Sequence, residues 1–302
     1  MKIGLIFKDN LRDKKSIKDI LENIAKKNRI ELIECEKNTS SSITKNSLKT
    51  SNNDRLDFIL SLGGDGTMLR SVEYASYYKT PILGVNMGKL GFLTDSNLNE
   101  IETNIEALID KNYRIEPRML LEVIVQRYSD NVYEQQSYSS TETKYKNKRT
   151  ITVLNTIALN EAVVIKGASA KLIDLKLCTN KYFVYESRCD GMVISTPTGS
   201  TAYSLSAGGP ILSPSMNAMI VTPLNPHILT IRPMVFADND IIEVKICSHN
   251  QVYLQIDGNT KCELLYGDKI TLKKAKEKIG FVKLSKKNFY RILRKKLNMG
   301  KN

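Results

Sequence analysis

Three glycines around one carboxylate, in Gly63-Gly64-Asp65-Gly66-Thr67, are the part of this sequence best equipped for chemistry. The apolar run Asp57-Phe58-Ile59-Leu60-Ser61-Leu62 before them reads as a short buried strand. Met68-Leu69-Arg70-Ser71-Val72-Glu73 after them is compatible with a helix. Glycines at such a junction admit backbone angles closed to other residues and let a ligand approach the main chain. The amides that open the helix then offer an anion site. A carboxylate there would merely repel phosphate, so Asp65 is expected to handle a proton or a magnesium ion while phosphate lies on the amides. That combination is phosphoryl transfer. The plainer alternative is a tight strand-to-helix turn in which Asp65 caps the helix.

Commoner nucleotide loops do not fit. The pattern G-x-G-x-x-G would need glycine where Leu69 stands. A P-loop is approached only by Gly84-Val85-Asn86-Met87-Gly88-Lys89-Leu90, one residue short and without the hydroxyl that would hold magnesium. A second region, Arg188 to Pro210, runs from a strand at Met192-Val193-Ile194 into a loop rich in hydroxyls and glycine. Ser195, Thr196, Thr198, Ser200, Thr201, Ser204 and Ser206 place seven hydroxyls within twelve positions. Hydroxyls both donate and accept, which suits a sugar or phosphate ligand. Such clusters also punctuate ordinary loops.

Leu159-Asn160-Glu161-Ala162-Val163-Val164 supplies the third piece. GGDGT, an Asn-Glu pair and DGMVISTPTGSTAYSLSAGGP, in this order, resemble the NAD kinase family. Gly84-Val85-Asn86-Met87-Gly88-Lys89-Leu90-Gly91-Phe92-Leu93-Thr94 resembles that family's second glycine-rich loop. The likeness runs from about Lys2 to the C-terminus, with gaps at polar insertions. GGDGT alone is shared with diacylglycerol kinase-like and phosphofructokinase-like enzymes. The long TPTGSTAYSLSAGGP run is not, and it discriminates among them.

The resemblance implies transfer of the γ-phosphoryl group of ATP to the 2′-hydroxyl of the adenosine ribose of NAD, giving NADP and ADP. A divalent metal, magnesium or another, would arrive with ATP. Asp65 matches the family's catalytic aspartate, either general base or magnesium organiser. Asn160 and Glu161 match the pair that binds ribose and adenine, and Asp190 the aspartate at the nicotinamide end. Thr198, Thr201, Ala202, Tyr203 and Ser206 match the loop around the adenine. Gly64, Gly66, Thr67 and Phe92 are expected to line the same cleft. Asp257, in Asp257-Gly258, matches a later pair near the transfer site, although many such pairs are hairpin turns. Arg188 points toward NAD rather than NADH. A non-catalytic NADP sensor is the opposing class; retention of Asp65 argues against it. A homo-oligomer, dimer or tetramer, is also implied.

These residues need elements to hold them. Lys2–Phe7 reads as a strand, Ile17, Ile20, Leu21, Ile24 and Ala25 as one helix face, and Ile30–Glu34 as a second strand. With Pro81–Val85 as a further strand and a helix over Leu98–Lys111, the alternation predicts a parallel sheet with helices on both faces. After Tyr113, β-branched runs take over: 120–126, 150–154, 161–165, 172–177 and 241–246. The expected fold is an α/β N-terminal domain, Rossmann-like by resemblance, plus a β-rich C-terminal domain. The domains are drawn as 1–98 with 277–302, and 99–276, the C-terminal helix returning to the first. Polar segments at 37–55 and 128–149 are the candidates for disorder.

The chain of 302 residues carries +13, but Lys269–Asn302 holds +12 of it and the remainder only +1. Phe289, Ile292, Leu293 and Leu297 recur at helical spacing, so this tail reads as a docked helix with a solvated basic face rather than a nucleic-acid binder. The five cysteines form no C-x-x-C pair, and two histidines leave little room for a metal site or a hydrolase triad. No signal peptide or membrane span is legible, and a cytoplasmic protein is expected.

Overall fold

The computed structural model describes residues 1–35, 55–88, 91–129, 149–168, 171–284 and 288–300. Apart from their ends, the polar segments at 37–55 and 128–149 lie outside the described residues. The chain divides into two units: Met1–Met119, Ser213–Ser215 and Lys276–Asn302 form one, and Leu120–Leu212 with Met216–Ala275 the other.

The first unit begins with β1 (Lys2–Phe7), α1 (Lys14–Asn28), β2 (Glu31–Glu34), β3 (Phe58–Gly63), α2 (Asp65–Tyr78), β4 (Ile82–Asn86), the two-residue β5 (Ser96–Asn97) and α3 (Ile101–Ile109). Strands β2, β1, β3 and β4 lie side by side and parallel, so the chain reverses its direction of travel across the sheet between β1 and β3. Ligands of open α/β sheets bind at the carboxyl ends of strands flanking such a reversal. Asp65 follows β3 at that end.

Alternate residues divide the sheet's faces. Ile3, Leu5, Phe58, Leu60, Leu62, Leu83 and Val85 pack in one core with Ile17, Leu21 and Ile24 of α1 and Ile101, Ile105 and Leu108 of α3. Ile20, expected on that helix face, is 43% exposed; it stands at the edge of the stripe set by 17, 21 and 24. On the opposite face a side chain at Gly84 would lie 2.7 Å from the Met68 sulfur, so its absence lets α2 settle on β4. The apolar face of α3 belongs to this core, which moves the boundary from the expected 98/99 to Met119/Leu120.

The second unit is built of β6 (Arg114–Ser129, which starts in the first unit), β7 (Arg149–Ala158), β8 (Glu161–Lys166), β9 (Ile173–Thr179), β10 (Tyr182–Cys189), β11 (Gly191–Ser195), the single turn α4 (Tyr203–Ser206), β12 (Ala218–Leu224), β13 (Met234–Ala237), β14 (Ile242–Ile246), β15 (Val252–Ile256), β16 (Asn259–Leu264) and the first half of β17 (Lys269–Lys283). Six of them form an antiparallel sheet in the order β13-β12-β11-β8-β15-β16. A separate antiparallel run is β10-β9-β14-β17. The far end of β17 pairs with β4 and leads to α5 (Phe289–Leu297) in the first unit, as the expected return of the C-terminal helix requires. Ile292 and Leu293 bury one face of α5, and Arg291, Arg294, Lys295 and Lys296 are exposed.

Candidate functional site

In the first unit, the turn from β3 into α2 is closed at one glycine and open at two. A side chain at Gly63 would meet the Thr67 hydroxyl at 2.1 Å, whereas at Gly64 and Gly66 it would meet nothing within 4 Å. That open space lies over the start of α2, where first-turn amides point beyond the helix. Asp65 does not cap its own helix. Its two oxygens accept the Phe92 amide at 2.9 Å and the Leu93 amide at 3.0 Å. The loop can approach this closely because residue 91 is glycine; a side chain there would sit 2.0 Å from Oδ1. A carboxylate has about four acceptor positions, so Asp65 keeps capacity for a proton or a cation. Thr67 is buried and Phe92 half-buried.

A cavity of about 330 Å³ opens at the carboxyl end of β1, lined by Phe7, Lys8, Cys35, Arg70 and Tyr74 among others. Arg70, on α2, donates to the Phe7 carbonyl at 2.8 Å and pairs with Asp9. Burial, with help from the Glu34 charge, pushes the Cys35 thiol up to about 11, which keeps it unreactive.

In the second unit, antiparallel pairing brings three strand ends to one place. Glu161 opens β8 opposite Ser195, the last residue of β11, and Ala162 faces Ile256, the last of β15. Asp257 then turns into β16 with Gly258, both at positive φ (48° and 81°). Its carboxylate accepts the amides of Leu159 (2.8 Å), Asn160 (2.8 Å) and Glu161 (3.1 Å). The Asp-Gly pair is therefore a hairpin turn and a clamp on Asn160-Glu161 together. Burial of the carboxyl raises the Asp257 pKa against the pull of those three amides. Glu161, 5% exposed, is pushed up to about 8 by burial first and the Asp257 charge second, with the Tyr203 amide working the other way. At neutral pH it is chiefly a protonated acid, able to donate as well as accept.

The hydroxyl-rich loop sorts into two sets. Ser195 donates to the Asn160 and Thr196 carbonyls, Thr196 to the Leu159 carbonyl at 2.5 Å, Ser200 to the Pro197 carbonyl at 2.7 Å, and Ser204 bonds Thr222 at 3.0 Å. All four are fully buried, so the expectation that the cluster as a whole serves a ligand is corrected: these hydroxyls tie the loop to itself, to Leu159 and Asn160, and to Thr222. Gly199 belongs to the same scaffold, since a side chain there would sit 2.2 Å from the Asn160 carbonyl. Thr198, Thr201, Ala202, Tyr203 and Ser206 make up the rest of the loop, and the Tyr203 amide reaches Glu161; Tyr203 and Ser206 are exposed and Thr201 and Ala202 half-buried. Among the described residues, Thr198 Oγ1 and Glu161 Oε2 are buried and have no hydrogen-bond partner.

Asp190 lies at the opposite end of β11. Its carboxylate meets Lys166 Nζ at 2.6 Å and the Asn225 amide at 2.7 Å, and these two hydrogen bonds lower its pKa. Five residues of strand put it roughly 17 Å from Ser195, at about 3.4 Å per residue. Arg188 is exposed and faces Asp174 at 3.2 Å. Cys189 is buried between them in sequence, its thiol pushed up to about 12 by burial, and serves packing.

Residues 10–113 match the ATP-NAD kinase N-terminal domain and residues 159–284 the ATP-NAD kinase C-terminal domain. The chain belongs to the ATP-NAD kinase family. The NAD kinase of Desulforamulus reducens is 39% identical over 82% of this chain and 78% of its own length. That of Heliobacterium modesticaldum is 37% identical over 82% of this chain and 80% of its own. Yeast NADH kinase, solved with NADH, shares the fold with a TM-score of 0.80 at 23% identity, covering 100% of this chain and 88% of that one. An NAD kinase from Archaeoglobus fulgidus, solved with ATP, has a TM-score of 0.69 at 24% identity, covering 99% of both chains.

Within this NAD kinase fold the expected residues form three groups. Gly64, Asp65, Gly66, Thr67 and Phe92 gather in the first unit. Asn160, Glu161, Thr198, Thr201, Ala202, Tyr203, Ser206 and Asp257 gather at one end of the six-stranded sheet. Asp190 and Arg188 stand at its other end. Lys166 and Asn225, which hold Asp190, and Gly91, which admits Asp65, carry no signal of those tasks in sequence; each is set by strand register or loop path.

Proposed function

We propose that this NAD kinase uses Asp65 to remove the proton from the adenosine 2′-hydroxyl of NAD as that oxygen attacks the γ-phosphorus of ATP. The bond from the γ-phosphorus to the β-γ bridging oxygen breaks, ADP leaves, and NADP forms. The observation that carries this reading is the Asp65 carboxylate, held by two amides beside the open space over Gly64 and Gly66. The helix amides there suit the phosphates. Thr67 and Phe92 shape the same place.

Magnesium fits as an ion brought by the triphosphate. It takes one or two carboxylates with substrate phosphates, and Asp65 retains acceptor positions. Bound so, it would neutralise charge building on the transferring phosphoryl group. Among the described residues no group of three or more His, Cys, Asp or Glu could cage a metal, which leaves the phosphates as its main ligands.

In the second unit, Glu161 and Thr198 present unpartnered buried atoms to the adenosine, with Asn160 fixed beside them by Asp257. Thr201, Ala202, Tyr203 and Ser206 border the adenine, Tyr203 by its exposed ring. Asp190, roughly 17 Å along the strand, takes the nicotinamide end, a separation suited to two joined nucleotides rather than one. Arg188 favours NAD over NADH, which turnover of the two acceptors would compare.

The protein works in the cytoplasm, a reading supported by five free cysteines. No described helix is long and apolar enough to cross a membrane. A homo-oligomer, dimer or tetramer, is supported by exposed apolar side chains at Ile228, Leu229, Met234 and Val235, Leu229 being 83% exposed. The deciding experiment is NADP formation from NAD, ATP and magnesium by the intact chain and by Asp65→Asn. Turnover lost in the variant while NAD still binds supports the kinase. Dinucleotide binding without turnover in the intact, folded chain would leave a sensor.

A further inference from the structure

A buried ion pair lies outside the machinery described above. Lys283, at the end of β17, is 5% exposed, and its Nζ stands 3.5 Å from Oδ1 of Asp95. The other Asp95 oxygen accepts the Leu284 amide at 2.9 Å, and the Asp95 amide donates to the Gly84 carbonyl at 3.1 Å. Asp95 therefore anchors one end of the short loop Gly91–Asp95. The other end of that loop holds Asp65 through the amides of Phe92 and Leu93.

The C-terminal segment reaches the loop a second time. On α5, whose start is capped by the Asn288 side chain, Lys296 places its ammonium 5.3 Å above the ring of Phe92. That distance is within reach of a cation–π attraction. Helix α5 lies beyond residue 284, where the match to the C-terminal family domain ends.

Burying two charges is a poor way to gain stability, because desolvation consumes most of the attraction. Burial indeed lowers the Lys283 pKa against the pull of Asp95. What such a pair can give is a single arrangement of the segments it joins. Here the arrangement is that of the loop carrying both Asp65 donors.

We propose that the end of β17 and α5 act as a positioning strut for Asp65, with Asp95–Lys283 and Lys296–Phe92 fixing the loop whose amides orient the carboxylate. The proposal rests on the phosphotransfer reading above. Asp95, Lys283 and Lys296 are positioning residues, acting through the loop and not on the substrate.

The test uses the full chain and its variants Asp95→Asn, Lys296→Met and Lys296→Arg. Three quantities are followed: amide exchange at Phe92 and Leu93, kcat and both KM values for NADP formation, and Tm. Exchange is expected to quicken about tenfold in Asp95→Asn and about threefold in Lys296→Met. The kcat should fall by similar factors, both KM values should stay within about twofold, and Lys296→Arg should restore the parent values. A merely structural role would lower Tm and the yield of active protein while leaving kcat per active molecule unchanged. Unchanged exchange and kcat in Lys296→Met, or a loss confined to KM for ATP, overturns the strut. Should Asp95→Asn not fold, the exposed Lys296 side chain still decides. If the parent chain makes no NADP, the kinase reading fails, and the exchange rates judge the strut alone.

Discussion

Asp65 and Asp257 both accept several backbone amides, and they do so for opposite ends. Asp65 takes two amides from a neighbouring loop and stands half-exposed beside an open space. Asp257 takes three from the strand start it clamps, with its carboxyl packed inward. The first arrangement orients a carboxylate and leaves it usable. The second consumes a carboxylate to shape the main chain, and its charge adds to the burial that raises the pKa of neighbouring Glu161. Amide contacts alone thus do not mark a reactive acid; the space beside it does.

The sharpest way to break this contrast is to neutralise each acid. Asp65→Asn is expected to lower kcat by about a thousandfold, within the range for a lost general base, with Tm nearly unchanged. Steady-state NADP formation and a melting curve would check both halves. Asp257→Ala should do the reverse, destabilising the protein by about 3 kcal/mol through three stranded amides, as denaturant unfolding would record. If Asp257→Ala left stability intact and abolished turnover, the two roles would have to be exchanged.

Glycines offer a gentler probe of the same difference. Gly91→Ala would press on Asp65 Oδ1 from 2.0 Å and should reduce kcat by about tenfold or more, since small misplacements are costly. Gly66→Ala meets nothing within 4 Å, so it should leave Tm within about 1 °C and raise KM for ATP by filling ligand space. Equal losses of Tm in the two variants would refute the distinction between closed and open glycines.

The last comparison is a pH dependence. Below pH 4.5 Glu161 is protonated in both folded and unfolded chains; from there to about 8 only the unfolded chain ionises. The folded state then binds more protons, so this residue's contribution to stability falls as pH rises through that window and levels off above it. Glu161→Gln should remove that component and be the more stable protein at pH 8.5. Parallel stability–pH curves for the two would sink the assignment.

Much of the fold could be read directly from the residues. Alternation of short apolar runs with helical faces announced the parallel sheet, because the periods of strand and helix are local properties. Leu120–Gln126 and Thr150–Leu154 were visible as strands, but β6 and β7 run longer, to Arg114–Ser129 and Arg149–Ala158, since pairing extends strands beyond their apolar cores. β5, β10, β12, β13, β15, β16 and β17 went unread. The GGDGT turn was read correctly as strand-to-helix, yet the suggestion that Asp65 caps its helix fails, because the loop amides that it accepts stand 27 and 28 residues later. The seven hydroxyls looked alike in sequence, and only burial together with hydrogen bonding separated the four that brace the loop from the other three.

The order of residue types along the chain determined the family, the α/β-then-β succession and the basic face of the last helix. These depend on short-range periodicity and on motifs that survive without coordinates. Tertiary structure alone decided which carboxylate is usable, which hydroxyls are spent, that Glu161 carries a proton near neutrality, and that Lys283 and Lys296 return to the loop holding Asp65. Each of these turns on desolvation or on contacts between segments far apart in the chain, and neither is encoded at any single position.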